Sequence, residues 1–74
     1  MLKCKIRKTV NSLGTARYYN SKNQLHRDND LPAVECANGD KWYYKNGMLH
    51  RDNDFPAIDL GGYKEYWVNG TRVR

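Results

Sequence analysis

A ten-residue block occurs twice in this chain, and the repeat constrains the fold more than any local propensity. Residues 25–34 read LHRDNDLPAV, and residues 49–58 read LHRDNDFPAI, with apolar exchanges at two positions. An aromatic pair precedes each block, and a third pair, Tyr66-Trp67, follows the second block. A fixed period of about 20–50 residues is typical of stacked supersecondary units. The sequence therefore predicts a tandem repeat.

The repeat predicts one domain, residues 1–74, with four segments. Residues 1–17 form an amino-terminal half unit, because the Pro-Ala-Val segment has no counterpart there. Residues 18–42 are the first repeat and residues 43–65 the second. Residues 66–74 are a truncated third unit.

The repeated signature resembles a known family. His-Arg-Asp-Asn-Asp-x-Pro-Ala, followed by an aromatic pair and Asn-Gly, is similar to the MORN-variant repeats of large DNA viruses, phages and bacteria. The resemblance covers residues 18–70. It implies short β-hairpins in series and a role in interactions, with no established catalytic residues. Some bacterial members are described as antitoxin-like.

Turn dipeptides predict the strands. Asn-Gly and Gly-Gly pairs accept the positive φ of tight hairpins, and here they separate short runs rich in aromatic and β-branched residues. The expected fold is all-β, an antiparallel β-hairpin repeat meander that forms a small curved sheet or a short solenoid-like array. The strands are expected near 2–9, 14–20, 24–27, 33–37, 41–45, 48–51, 57–60, 63–68 and 71–74, with the Arg-Asp-Asn-Asp segments as loops.

The register follows from the lengths of two turns. A three-residue loop with a bulge at Asn38-Gly39 and a two-residue loop at Gly61-Gly62 keep the two repeats in phase. The expected cross-strand neighbours are Val34 with Trp42, Glu35 with Lys41, Ile58 with Glu65, and Asp59 with Lys64. Glu35 with Lys41 and Asp59 with Lys64 would form ion pairs.

This register predicts two faces. The core face is expected to hold Leu2, Cys4, Ile6, Tyr19, Leu25, Val34, Cys36, Trp42, Tyr44, Leu49, Ile58, Leu60 and Trp67. The opposite, exposed face is expected to hold Lys3, Lys5, Arg7, Tyr18, Lys41, Tyr43, Lys45, Lys64 and Tyr66. Basic residues interleaved with exposed tyrosines are typical of surfaces that neutralise phosphates and stack bases. Tyrosines are also ordinary on the wet face of an antiparallel sheet.

Charge is uneven along the chain. Residues 1–27 carry seven basic and no acidic side chains, whereas residues 28–74 carry six basic and eight acidic ones. The first strand is therefore the basic end, suited to an acidic partner or a phosphate backbone. The alternative is that its lysines protect a terminal edge strand from pairing with other chains.

The repeated His-Arg-Asp-Asn-Asp segments hold the strongest candidates for site chemistry. His26 and His50 with the nearby aspartates are too few ligands for zinc, and the turn glycine and distal glutamate of a calcium loop are missing. We expect a structural use instead, with Asp28 and Asp52 in Asx turns and the arginines paired with loop carboxylates. A catalytic site needs one asymmetric constellation, and no triad is evident. The sequence therefore predicts no enzyme, no metal and no cofactor.

Compartment and redox state follow from the cysteines and the amino terminus. Cys4 and Cys36 are too few for a disulfide framework and lack metal-ligand spacing, so reduced interior thiols are expected. The first residues alternate and contain no apolar segment of a secretory signal. We expect a cytoplasmic protein, in the host cytoplasm if a phage encodes it, with no membrane contact and no small-molecule substrate.

The preferred functional hypothesis is a non-enzymatic protein-binding module. By analogy with viral and phage proteins, it would be an inhibitor that blocks a host complex, for example a CRISPR effector or another defence complex. The alternatives are direct nucleic-acid binding and an antitoxin-like partnership with a bacterial toxin. The expected partner is a protein with an acidic surface, bound through Lys3, Lys5, Arg7, Lys8, Arg17, Tyr18, Tyr43 and Tyr66.

Overall fold

The structure is a computed structural model that describes residues 6–74, and this part of the chain is all-β with no helix. The predicted fold class, an all-β meander of antiparallel hairpins, is confirmed. No helix in these residues is long and apolar enough to cross a membrane. The strands are β1 (Arg7–Val10), β2 (Ala16–Tyr19), β3 (Val34–Glu35), β4 (Lys41–Trp42), β5 (Tyr44–Lys45), β6 (Met48–Leu49), β7 (Ile58–Asp59), β8 (Lys64–Glu65), β9 (Trp67–Val68) and β10 (Thr71–Arg72).

Six of the strands form one antiparallel sheet in the order β1-β2-β3-β4-β7-β8. The other four form two hairpins, β5 with β6 and β9 with β10. An Asn-Gly pair with positive φ closes each of these hairpins, Asn46-Gly47 in the first and Asn69-Gly70 in the second. The second repeat thus contributes β7 and β8 to the large sheet and one separate hairpin, and the truncated third unit contributes the other hairpin.

The predicted register is confirmed in detail. All four expected neighbours pair as predicted: Val34 with Trp42, Glu35 with Lys41, Ile58 with Glu65, and Asp59 with Lys64. Cys36 N–H bonds to the Asp40 carbonyl across a three-residue loop (2.9 Å), in which Gly39 takes positive φ. Leu60 N–H bonds to the Tyr63 carbonyl across a two-residue loop (2.9 Å). Loop length therefore sets the phase of the repeats.

The strands expected over 41–45 and 63–68 are too long, because the chain leaves the large sheet at Tyr43 and again at Tyr66. Tyr43 lies between β4 and β5, and Tyr66 lies between β8 and β9. Tyr43 N–H donates to the Ala57 carbonyl (2.7 Å), while its own carbonyl accepts from His50 N–H (3.0 Å). These bonds tie Tyr43 to two segments outside its own strands, which breaks the continuous strand predicted for 41–45.

Two further strand predictions need correction. The strand expected over 24–27 is reduced to one isolated bridge between Tyr19 and Leu25. The strand expected over 2–9 is described only from residue 6 onward, and it runs as Arg7–Val10. Leu2 and Cys4, expected in the core, lie outside the described residues.

The core is small, and the prediction of its members is largely wrong. Among the described residues, the buried apolar residues are Ala16, Tyr18, Pro32, Ala33, Val34, Tyr43, Pro56 and Ala57. Of the expected core set only Val34 is buried, and Ile6, Tyr19, Leu25, Cys36, Trp42, Tyr44, Leu49, Ile58, Leu60 and Trp67 are half-buried. The described part of the chain is only 16 Å thick along its shortest axis, so large side chains on either face retain contact with water.

The most deeply buried positions are two alanines in equivalent places. Ala33 and Ala57 are both 0% exposed. The Ala33 carbonyl accepts from Tyr18 N–H (2.8 Å), as the Ala57 carbonyl does from Tyr43 N–H. Each alanine N–H donates in turn to the next strand, at Trp42 and Glu65 respectively (2.9 Å each). The Pro-Ala segment of the repeat therefore supplies a small side chain where backbones converge.

The close packing at Ala57 gives the first prediction. Ala57→Leu should destabilise the protein by about 1–3 kcal/mol, because a larger side chain has no space at a fully buried alanine. Urea unfolding followed by tryptophan fluorescence measures the change. Ala37→Leu is the matched control, since Ala37 is exposed and such changes usually stay within about 0.5 kcal/mol. Equal midpoints for the two variants would contradict this assignment of the core.

Candidate functional site

An arginine lies over a tyrosine ring in every unit. The Arg27 guanidinium carbon is 3.8 Å from the centre of the Tyr18 ring, and the Arg51 carbon is 3.8 Å from that of Tyr43. Arg74 repeats the contact over Tyr66 at 4.3 Å. A guanidinium over an aromatic face is attracted by the ring quadrupole and packs flat against it. We call Arg27, Arg51 and Arg74 the arginine ladder.

Loop aspartates connect the ladder from one unit to the next. Asp30, in the first repeat, accepts two hydrogen bonds from Arg51 of the second, from Nε at 2.9 Å and from Nη2 at 3.3 Å. Asp54 of the second repeat forms the equivalent ion pair with Arg74. Both aspartates have positive φ, at 55° and 62°, and Asx residues tolerate this conformation better than most. The loop backbone thus directs a carboxylate at the following unit.

The first member of the ladder has a different acid. Arg27 pairs with Glu35 on β3 at 3.1 Å and also donates to the Pro32 carbonyl at 3.2 Å. Arg51 makes the same bond to the Pro56 carbonyl at 3.2 Å. The prediction that both repeat arginines pair with loop carboxylates is therefore right for Arg51 and wrong for Arg27. Glu35 faces Lys41 in the register, but its ion pair is with Arg27.

The histidines also link neighbouring units. Asn46 N–H donates to Nδ1 of His26 (3.0 Å), which leaves Nε2 to donate to Asp28 (2.8 Å). His50 repeats this arrangement, accepting from Asn69 N–H (2.9 Å) and bonding its own aspartate at 2.8 Å. Each histidine thus closes the Asn-Gly turn of the unit that follows.

This arrangement corrects the predicted role of two aspartates. Asp28 and Asp52 orient histidine rings, so the expectation that they form Asx turns is wrong. In His26 and His50 both ring nitrogens are already engaged, and a bonded Nδ1 lone pair is not free to bind a metal. Within residues 6–74 no three or more His, Cys, Asp or Glu side chains are grouped around one point. Cys36 is a free, half-buried thiol.

Two tyrosines and one glutamate have shifted pKa values. Burial raises the pKa of Tyr43, and the charge of Arg51 partly opposes this. A hydrogen bond from the Tyr63 hydroxyl lowers the pKa of Glu65, with help from the Trp67 indole N–H at 2.9 Å, and the same bond raises the pKa of Tyr63. Arg72 lies 3.6 Å from the same carboxylate. Glu65 therefore organises the second-repeat end of the large sheet.

The β1–β2 pair, with the turn that joins it, forms the surface with the greatest unpaired positive charge. We call residues 7–19 the basic hairpin. Arg7 lies 4.5 Å from the Tyr19 ring centre and donates to Asn23, while the Lys8 ammonium lies 5.6 Å from the Tyr18 ring centre. Pairing of Thr9 with Arg17 places Arg17 on the same face as Arg7.

The cations of the basic hairpin lack acidic partners. Among the described residues, no carboxylate forms an ion pair with Arg7, Lys8 or Arg17. Elsewhere in this part of the chain, most cations are paired: Arg27 with Glu35, Arg51 with Asp30, Lys64 with Asp59, Arg72 with Glu65, and Arg74 with Asp54. The hairpin therefore groups three cations that no described carboxylate neutralises.

The structure brings only part of the predicted partner-binding set together. Arg7 and Lys8 are exposed on β1, with half-buried Arg17 beside them on β2; Lys3 and Lys5 lie outside the described residues. The prediction that the tyrosines lie on an exposed face is wrong for Tyr18 and Tyr43, which are 9% and 7% exposed. Tyr66 is half-buried beneath Arg74. The tyrosines point inward because each is covered by the arginine of its own unit.

The sequence did contain a signal for the ladder. An arginine follows the first tyrosine of each aromatic pair by eight or nine residues in all three units, at Tyr18 and Arg27, Tyr43 and Arg51, and Tyr66 and Arg74. Spacing alone does not say that the two side chains stack, because the intervening hairpin must first fold back. The exposed apolar residues Val10 and Leu13 were also missed, since neither belongs to a repeated position.

Comparison with protein-family models, curated proteins and solved structures finds no match to this chain.

The ladder gives the second prediction. Arg51→Lys should cost about 1–3 kcal/mol of folding stability, because lysine keeps the charge but loses the planar stack on Tyr43 and the paired bonds to Asp30. Thermal and urea unfolding measure the loss. Arg72→Lys is the matched control, because an exposed ion pair of this kind contributes about 0–1 kcal/mol. A ladder variant as stable as the control would show that Arg51 is merely a surface residue.

The raised pKa of Tyr43 gives the third prediction. A phenol with a raised pKa stabilises the fold below the unfolded value of about 10, and this contribution is lost as the pH rises through the folded value. Tyr43→Phe should therefore lose less stability between neutral and strongly alkaline pH than the parent. Urea midpoints at several pH values, with Tyr44→Phe as control, test this. A parallel decline in all three proteins would contradict it.

Proposed function

We propose that this protein is a non-enzymatic binding module that engages an acidic surface of a partner protein through its basic hairpin. The observation that carries the proposal is the combination of unpaired cations and exposed aliphatic side chains on one hairpin. Arg7, Lys8 and Arg17 supply the charge, while Val10 is 59% exposed and Leu13 is 80% exposed. Within residues 6–74, the β5–β6 hairpin also has an unpaired cation, Lys45, opposite Met48, which is 43% exposed, but the basic hairpin groups three such cations with two aliphatic side chains that are each more than half exposed.

The charge argument rests on contrast within the chain. The formal charge is +7 over residues 1–27 and −2 over residues 28–74. In the repeats the basic side chains are largely neutralised by their own carboxylates. An acidic partner would therefore be attracted to the amino-terminal end of the molecule, and orientation of the encounter by this field would raise the association rate.

The apolar tip favours a protein over a nucleic acid. Val10 ends β1 and Leu13 lies in the turn, so both project beside the charged side chains. Protein interfaces join an apolar centre to a polar, often arginine-containing rim. A phosphate backbone offers little apolar surface for aliphatic side chains to pack against. Exposed aliphatic groups next to cations therefore support an acidic protein surface as the partner.

The burial of the tyrosines weakens the case for nucleic acid further. Stacking of bases needs an open aromatic face, but Tyr18 and Tyr43 are buried beneath Arg27 and Arg51. Contact with phosphates through Lys8, Arg17 and Lys22 remains the alternative, and it predicts a steep, linear dependence of log affinity on log salt. The experiment below separates the two.

The resemblance to MORN-variant repeats supports a more specific role as part of the same proposal. An inhibitor of a host complex, such as a defence complex, needs a small rigid surface and no chemistry of its own. A linked array of hairpins fits this need, because the ladder and the histidine bonds hold the units to one another. An antitoxin-like partnership would use the same surface.

The fourth prediction tests the binding surface. The tagged chain should retain a discrete protein from a nuclease-treated bacterial lysate, and the triple variant Lys8→Ser, Arg17→Ser, Leu13→Ser should lose it. The expected loss is at least about tenfold in recovered partner, corresponding to roughly 1.4 kcal/mol. In parallel, fluorescence polarisation measures the affinity of the chain for labelled single-stranded DNA at several salt concentrations.

The matched control is the double variant Lys45→Ser, Val73→Ser, which removes an exposed cation and a 54% exposed apolar side chain away from the hairpin. It should bind like the parent. Capture that disappears after nuclease treatment, together with tight salt-dependent DNA binding, would establish the nucleic-acid alternative. Capture that survives the triple variant would exclude the basic hairpin as the site.

A further inference from the structure

The outer edge of β1 carries backbone hydrogen-bonding groups that the described sheet does not use. Among residues 6–74, β1 is the terminal strand of the six-stranded sheet and pairs only with β2. Asn11 N–H donates inward to the Thr15 carbonyl (3.1 Å). Because backbone direction alternates along a strand, Thr9 and Arg7 also point toward β2. The N–H and C=O groups of Lys8 and Val10 must then point away from the sheet.

The partner strand gives an independent check of this direction. Tyr18 is the neighbour of Lys8 in the register. Its N–H bonds to the Ala33 carbonyl (2.8 Å), and its carbonyl accepts from His26 N–H (2.9 Å), both on the side away from β1. Tyr18 and Lys8 are thus a non-hydrogen-bonded pair. The backbone groups of Lys8 therefore face outward.

We propose that the outer edge of β1 accepts an extended acidic segment of the partner protein as an added strand. The inference rests on the proposed function and specifies its mode. The main chain of the segment would bond to Lys8 and Val10, and its carboxylates would lie beside Arg7 and Lys8. Addition of a strand to an open edge is an established mode of peptide recognition. The exposed Leu13 at the end of the strand would contact an apolar side chain of the same segment.

The side chains of β1 select the charge of the added strand. Arg7 and Thr9 lie on one face of the strand, and Lys8 and Val10 lie on the other. Arg7 is held over Tyr19 and Lys8 over Tyr18, so a positive charge is anchored on each face beside the open edge. A second copy of β1 would bring like charges together, which is destabilising. An acidic strand would instead place carboxylates beside these cations. The same cations therefore oppose self-association and attract the partner.

The test uses the full chain and a defined probe, an acetylated and amidated peptide that alternates glutamate and threonine. Amide hydrogen exchange by NMR reports each N–H separately. Addition of the peptide should slow exchange at Lys8 and Val10, which face outward, and leave Thr9, already bonded to β2, unchanged. A peptide that alternates lysine and threonine is the charge control and should have no effect. Slowed exchange throughout the protein, or none at Lys8 and Val10, would overturn the proposal.

A pair of variants separates this inference from the proposed function. Val10→Pro removes an outward N–H without changing charge or a bond to β2, and proline is tolerated on the outer side of edge strands. It should weaken binding of the glutamate peptide about five- to tenfold, the equivalent of one lost hydrogen bond and a steric clash. Val10→Thr keeps the N–H and should bind like the parent. Both variants should retain the parent NMR spectrum away from β1.

The outcomes are distinct. Equal binding by Val10→Pro and Val10→Thr, with loss in Lys8→Ser, would remove strand addition but leave an acidic partner bound through side chains. Binding unaffected by all three changes would remove both. Light scattering decides whether the edge merely protects the protein: an aggregating Lys8→Ser variant that still binds the peptide would overturn the selective role of the cations.

Discussion

The stacking of an arginine on a tyrosine, held for Arg51 and Arg74 by an aspartate of the preceding unit, is the interaction on which the rest of this structure depends. The described part of the chain is 16 Å thick and buries three alanines, two prolines, one valine and two tyrosines. Such a thin core cannot rely on aliphatic packing alone. Each covering arginine adds a cation–π contact worth about 0.5–2 kcal/mol, and Arg51 also carries charge-assisted bonds. The ladder thus replaces the second apolar layer that a larger domain would have.

The repeat arginines are bound to carboxylates of the same chain, so the binding surface is expected outside the repeats. Arg51 and Arg74 are bound by Asp30 and Asp54, so the duplicated signature serves the fold. The amino-terminal hairpin precedes the first repeated signature and contains no acid. Its cations therefore remain available, and no strand within residues 6–74 pairs with the outer edge of β1. The position of the proposed binding surface follows from this division between a self-neutralised array and a basic end.

The sequence was sufficient for the fold class, the hairpin turns and the register, because these depend on local rules. Asn-Gly and Gly-Gly turns fix loop length, and loop length fixed all four predicted cross-strand neighbours. The faces were not predictable by alternation, because the chain changes sheets at Tyr43, where the backbone bonds to Ala57 and His50. A continuous strand with side chains on alternate faces would expose Tyr43 to solvent, but in the structure Arg51 covers its ring. The basic hairpin was recognised from charge, but its apolar tip and free edge require the sheet order.

Proton NMR of the arginine side chains tests the ladder most directly. A guanidinium held over a ring brings its Cδ protons into the ring current and within range of cross-relaxation with ring protons. We expect upfield-shifted Cδ protons for Arg27, Arg51 and Arg74, with contacts to Tyr18, Tyr43 and Tyr66 respectively, and ordinary shifts for Lys45 side-chain protons. Arginine protons at unstructured-peptide positions, without contacts to the tyrosine rings, would contradict the account.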